Sequence, residues 1–165
     1  MNDPMNSLNE AVQSAKEEDN LYLTVKVGDQ PFGIPVQCVH DVSKAQKITK
    51  VPLAPPEVAG ALNLRGRIVT VINVGKKLGL RNSGSDADQI YMYVVIEHEG
   101  ELYSLMVDSV GDVMSPSPQS FEQNPSNMEP GWRDVSAGVY RLDGELLVLL
   151  DIQRFFGGIS KVMVA

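Results

Sequence analysis

The stretch "AGALNLRGRIVTVINVGKKLG" at residues 59–79 is answered later in the chain by "AGVYRLDGELLVLLDIQRFFG" at 137–157. The two align without a gap and share Ala59/Ala137, Gly60/Gly138, Leu64/Leu142, Gly66/Gly144 and Gly79/Gly157. A second pair of segments behaves the same way. "YLTVKVGDQPFGIPVQCVHDV" (22–42) lies on "YVVIEHEGELYSLMVDSVGDV" (93–113), with Tyr22/Tyr93, Val36/Val107, Val39/Val110, Asp41/Asp112 and Val42/Val113 in common. Two blocks in the same order, with matching apolar positions, read as an internal duplication. The second copy carries the longer Pro/Ser/Asn-rich spacer.

Each copy interprets the other. "RLDGELL" is a hairpin turning on Asp143-Gly144, a favoured pair because both positions tolerate positive φ. By correspondence Arg65-Gly66 occupies a hairpin turn. "RIVTVIN" and "ELLVLLD" are nearly continuous apolar runs, the mark of strands covered on both faces. Each ends at an expected helix N-cap, Asn73 or Asp151, and the short turn that follows stops at Gly79 or Gly157. "LYLTVKV" and "FGIPV", separated by "GDQP", form another hairpin, as does 91–107 around Glu99-Gly100. The fold expected is all-β: two similar small barrels around a common hydrophobic core, from halves spanning about 22–79 and 93–157, with exchange of strands between the halves left open because the sequence does not say which barrel the first strand joins. Residues 80–90 read as the linker between them.

With 165 residues and 43% hydrophobic content, the chain suits one domain with an ordinary core. A net charge of −7 argues against a general nucleic-acid binder. A single cysteine, Cys38, provides no disulfide framework and fits a reducing compartment. Nothing at the N-terminus resembles a secretory signal, and no apolar run reaches the roughly 18 residues of a membrane span. These features point to a soluble cytoplasmic protein without membrane insertion. Residues 1–20 are polar and read as a mobile tail with a marginal helix from Leu8 to Lys16; 159–165 read as a C-terminal tail.

Chemistry is sparse. His40 and His98 are the only histidines, and neither has metal-ligand spacing to the other or to Cys38. No phosphate loop or nucleophile motif occurs, so no enzyme, metal or cofactor is expected. Two features leave a binding module open. Trp132 in "MEPGWRDV" is either an interface anchor or a loop aromatic folded back on the barrel. The basic residues Arg65, Arg67, Lys76, Lys77 and Arg81 would serve a small-barrel nucleic-acid binder if they formed one stripe. Arg65 is different in kind, since a turn does not need arginine and the other copy has Asp143. Asp41, present in both copies, is a candidate ion-pair partner that would orient the Arg65 guanidinium.

The motifs "FGIPVQCVHDV", "VPLAPPEVAGALNLRGRIVTVINVGKKLGL", "LMVDSVGDV" and "AGVYRLDGELLVLLDI" resemble the CheW family, the coupling proteins of bacterial chemotaxis. The likeness covers about 21–157, so a CheW-like domain is assigned to 21–158. It implies two five-stranded SH3-like barrels packed around a common core. It also implies a non-enzymatic scaffold, a monomer when isolated, that couples chemoreceptor cytoplasmic tips to the regulatory domain of the histidine kinase CheA and is recruited to membrane-associated receptor arrays. By motif position the resemblance assigns receptor binding to Val39, Asp41, Leu64 and Arg65. Kinase binding falls on the barrels, including the 114–136 spacer, where Met128 is the candidate. This chain departs from the family pattern at Thr70, where proline is usual, at Asn73, where aspartate is, and at Asp41, often glutamate. Thr70 restores a backbone donor and Asn73 can still cap.

Overall fold

In the computed structural model the described residues are 4–15, 21–44, 47–79, 90–128, 130–142 and 144–157. Lys16, Arg81, Asp143, most of the 80–90 linker and the 159–165 tail lie outside them. Helix α1 (Pro4–Ala15) precedes the first copy: β1 (Tyr22–Val27), β2 (Gln30–Pro35), a 3-10 turn (Val36–Cys38), β3 (Val39–Ser43), β4 (Val58–Leu64), β5 (Arg67–Asn73) and α2 (Val74–Leu78). The second copy runs β6 (Met92–His98), β7 (Glu101–Val107), β8 (Ser109–Met114), β9 (Phe121–Glu122), α3 (Pro130–Arg133), β10 (Ser136–Leu142), β11 (Glu145–Leu150) and α4 (Ile152–Gly157).

The hairpins turn where the sequence places them. Gly28-Asp29 (φ 56° and 69°), Arg65-Gly66 (52° and 85°) and Glu99-Gly100 (52° and 80°) are all left-handed pairs, the geometry that matches strand twist. Gly144 has φ 75° at the fourth turn. Both expected caps form: the Asn73 side chain accepts from Lys76 N at 3.1 Å, and Asp151 Oδ1 accepts from Arg154 N at 3.1 Å.

Two sheets result, ordered β3-β6-β7-β5-β4 and β8-β1-β2-β11-β10-β9. The orders are the same once the copies are overlaid, with β9 added at one edge. The five-stranded sheet takes three strands from the first copy and a hairpin from the second; the six-stranded sheet takes four from the second copy, β9 included, and a hairpin from the first. β5 runs parallel to β7 and β11 runs parallel to β2. The halves 22–79 and 93–157 are therefore repeats in sequence and not separate bodies in space, because their first hairpins are exchanged.

The apolar runs are explained by this exchange. Along β11, Leu147 and Leu149 enter a cluster with Tyr140 inside their own sheet, whereas Val148 and Leu150 enter the large cluster shared by both sheets. Along β5, Val69 and Val71 face the corresponding cluster with Leu62 and Val95, and Ile72 faces the shared one. A strand between two cores has no solvent face, so period-2 alternation disappears from its sequence.

The N-terminus departs from the expected tail. α1 has 12 residues and docks through Val12, which is fully buried, with Leu8 packed at the margin of the shared core. Two apolar residues at i, i+4 are enough to define one buried stripe, though too few to stand out from a polar segment.

Gly60 and Gly138 are matched across the copies for a steric reason. Both have positive φ, 153° and 139°, and both sit at a register shift in the β4–β5 or β10–β11 pairing. A Cβ on Gly60 would collide with the Thr49 carbonyl, and one on Gly138 with the Phe121 ring. Gly60→Ala should therefore cost about 3 kcal/mol or more, strain and overpacking together. Gly66→Ala meets nothing within 4 Å and should cost only about 1 kcal/mol for its left-handed φ. Urea denaturation of the two variants checks the contrast, and equal losses would contradict it.

Candidate functional site

The β4–β5 hairpin carries two of the four receptor candidates, Leu64 and Arg65. Asn63 Oδ1 accepts from Gly66 N at 2.9 Å and closes the turn, leaving Arg65 exposed at its apex with φ 52°. Left-handed φ at a residue other than Gly, Asn or Asp costs roughly 1–2 kcal/mol, so arginine here does not serve the turn. Arg67 is the structural member of the pair. The β5–β7 register sets it beside Gly100, and its Nη2 donates to the Gly100 carbonyl at 3.4 Å. That bond, with the register Thr70↔Tyr103, Tyr103↔Ile96 and Ile96↔Val39, brings the Arg65 turn, the Glu99-Gly100 turn and the start of β3 to one end of the sheet.

The four receptor candidates sort unequally. Leu64 is half-buried against the cluster of Leu62 and Val69. Asp41 is half-buried on β3. Val39 is 0% exposed, a core residue of β3, and as folded it presents no surface to a partner. Among the described residues no hydrogen bond or ion pair joins Asp41 to Arg65; Arg141 pairs with Glu122 and Arg154 with Asp151. The expected orientation of Arg65 by Asp41 is absent because the two residues sit on β3 and on the β4–β5 turn, at opposite edges of the sheet order.

Sequence reasoning missed two exposed apolar residues. Ile68 is 60% exposed although it begins an apolar run, and Leu53 is fully exposed at φ 60°. Ile68 stands opposite Asn63 and, with Val51, Pro52 and Leu62, lines a largely apolar groove edged by Lys47 and Lys50. The available signal was position: Ile68 lies two residues from the turn, where a strand has not yet entered the core.

Beside the Glu99-Gly100 turn, Tyr103 and His98 both stack on Phe156 of α4, with centroid distances of 4.3 and 5.0 Å. Burial, reinforced by the hydrogen bond its hydroxyl donates to Glu101 Oε2 at 3.0 Å, pushes the Tyr103 pKa up to about 12. The phenol therefore stays protonated at neutral pH.

Trp132 folds back on the barrels. It meets Phe32 edge-on at 5.9 Å, and its Nε1 donates to the Leu78 carbonyl at 3.2 Å, satisfying the end of α2. Met128 is half-buried against the shared core, with its carbonyl accepting from Arg133 Nη2 at 3.1 Å. The basic residues do not form one stripe as far as they are described. Arg65 and Arg67 sit at one end of β5 and Lys76 and Lys77 beyond its other end, about 20 Å apart along a seven-residue strand. Among the described residues no three His, Cys, Asp or Glu side chains come together as metal ligands. Cys38 Sγ instead donates to the Pro35 carbonyl at 3.0 Å.

The decisive comparison is with known domains: the CheW-like domain matches residues 21–159. The chain belongs to the CheW-like family. Curated relatives span nearly the whole chain. The chemotaxis protein CheW of Treponema pallidum is 26% identical over 87% of this chain and 85% of that protein. The CheW of Thermotoga maritima is 27% identical over 84% and 88%. Among solved structures, the scaffolding protein TtCheW from Thermoanaerobacter tengcongensis superposes with a TM-score of 0.75, at 26% identity, covering 88% of this chain and 97% of that one. The CheW-like family is one of chemotaxis coupling and scaffold proteins, and the two exchanged sheets described here are its pair of SH3-like barrels. No described helix is long and apolar enough to cross a membrane.

Trp132 and Arg65 should behave oppositely. Trp132→Ala removes a packed aromatic and a capping donor and should cost about 3 kcal/mol or more. Trp132→Phe keeps most of the packing and should cost only about 1–2 kcal/mol for the unsatisfied carbonyl. Thermal melts of both variants test this, and a native-like melt for Trp132→Ala would return Trp132 to the list of interface anchors.

Proposed function

We propose that this CheW-like chain is a non-enzymatic scaffold that couples chemoreceptor cytoplasmic tips to the histidine kinase CheA. It works in the cytoplasm as a monomer when isolated and joins membrane-associated receptor arrays. The observation that carries the reading is Arg65. A planar, permanently charged fork stands exposed in a strained turn, unpaired among the described residues, with Leu64 beneath it. Arginine combines directed hydrogen bonds with an apolar stem and is over-represented at interface centres.

In this reading Arg65 engages polar groups of the receptor tip while Leu64 supplies apolar contact. Asp41 contributes at the same end of the sheet. Val39, being buried, shapes β3 beneath Asp41 unless its cover moves. The regulatory domain of CheA docks on a separate barrel surface that includes the 114–136 spacer around Met128. The chain's charge of −7 and the division of its basic residues between two ends of β5 weigh against the nucleic-acid reading.

Arg65→Asn separates function from folding. Asparagine suits the left-handed first position of the turn, so the variant should melt at or slightly above the wild-type temperature. Loss of a central arginine contact costs binding about 2 kcal/mol, roughly thirtyfold in Kd. Titration against a receptor cytoplasmic fragment should show that loss, and titration against the CheA regulatory domain should show little change. Receptor binding at wild-type strength would remove Arg65 from the site.

A further inference from the structure

Helix α1 presents two adjacent i, i+4 stripes, apolar Leu8 and Val12 beside the amides Asn9 and Gln13. Val12 is fully buried in the cluster that holds Val36, Val39 and Val42. Asn9 engages β3 as a neighbouring strand would. It accepts from Val42 N at 2.9 Å through Oδ1 and donates to Val42 O at 3.0 Å through Nδ2. Gln13 Nε2 donates to the His40 carbonyl at 3.4 Å. Since β3 ends its sheet, these bonds fall on an open edge, which a fold must cover or leave available for pairing.

The duplication allows the two matched strands to be compared. Val110 and Val113 on β8 stand where Val39 and Val42 stand on β3, in the equivalent register, against Val25 and Leu23 of β1. Both remain partly exposed, whereas Val39 and Val42 are 0% and 1% exposed. The matched strands are thus covered unequally, although α1 packs against both.

We infer that α1 is an internal strap seated where a partner helix binds, and that the receptor-tip helix displaces it. This rests on the receptor reading proposed above and gives that site its regulation. The occupant is defined by what the seat already accepts: a helix with two apolar residues one turn apart and an amide beside them. The seat is continuous with half-buried Asp41 on the same strand. α1 is suited to leave, because a 12-residue helix is marginal on its own and Val12 is its one fully buried residue among those described. A strap lowers apparent affinity by the fraction of open molecules, so releasing it tightens binding.

The test uses the full chain and a receptor cytoplasmic fragment. A double variant, Asn9→Ala with Val12→Ser, removes the amide pairing and the anchor. With an open fraction of about one tenth in the wild type, it should bind the fragment about tenfold more tightly. Its affinity for the CheA regulatory domain should not change. On wild-type protein, saturating fragment should speed amide hydrogen exchange in α1 while slowing it in β3. A folded variant with equal or weaker receptor binding overturns the strap. If the variant does not fold, the exchange experiment decides, and α1 protection that holds or rises with fragment bound overturns it. A fragment that binds neither protein overturns the receptor reading itself, and the strap with it.

Discussion

Neither copy of the repeat can complete a sheet alone, and the parallel pairings of β5 with β7 and of β11 with β2 are the constraint on which everything else depends. Parallel neighbours cannot be joined by a tight turn, so each pairing requires a hairpin delivered from elsewhere in the chain. Here each copy delivers to the other. The exchange takes both faces of β5 and β11 out of water beyond their first residues and fuses the two sheets through one shared cluster. It follows that the molecule is one cooperative unit, because releasing either hairpin opens both a sheet and the shared core.

Much of this was legible in the sequence. Turn chemistry identified the hairpins, since left-handed pairs leave Gly and Asp in fixed places. The gapless alignment of 59–79 on 137–157 reflects backbone constraints that both copies must obey, as Gly60 and Gly138 show. Hairpin exchange was left open by the sequence, because an apolar strand has the same pattern whichever copy supplies its neighbour. The spacers hid a further correspondence. Thr49 bridges Ala61, and Glu122 of β9 pairs with Val139, the residue equivalent to Ala61. Two unlike segments thus fill the same position, but contacts one or two residues long leave no periodicity to read.

The sequence singled out Arg65 as a candidate but not the surroundings the fold gives it. Arg65 stood out because the duplication gave a reference for what the turn requires. Val39 misled because an apolar residue at a strand start reads alike whether it faces a partner or is covered. What covers β3 is α1, held by two amide side chains and one valine in a polar segment. Asparagine and glutamine bonded to backbone atoms more than 25 residues away produce no local signal. The failure of the Asp41–Arg65 pair has the same origin: sequence proximity to matched motifs says nothing about which sheet edges face each other.

These observations divide the chain into parts that cannot vary and parts that can. Residues between the two cores, such as Ile72, Val148 and Leu150, are held on both faces, and a change of volume there reaches both sheets. Arg65, Leu64 and Ile68 lie at a hairpin end where the neighbouring strand ends too, so substitutions there disturb little packing. The turn nevertheless tolerates an unfavourable left-handed arginine, a cost the rigid shared core is able to carry. In the reading proposed above, a binding surface on the tip of a firmly anchored hairpin keeps its geometry without needing stabilising contacts of its own. That is the arrangement a scaffold requires, because contacts committed to the fold would be unavailable to a partner.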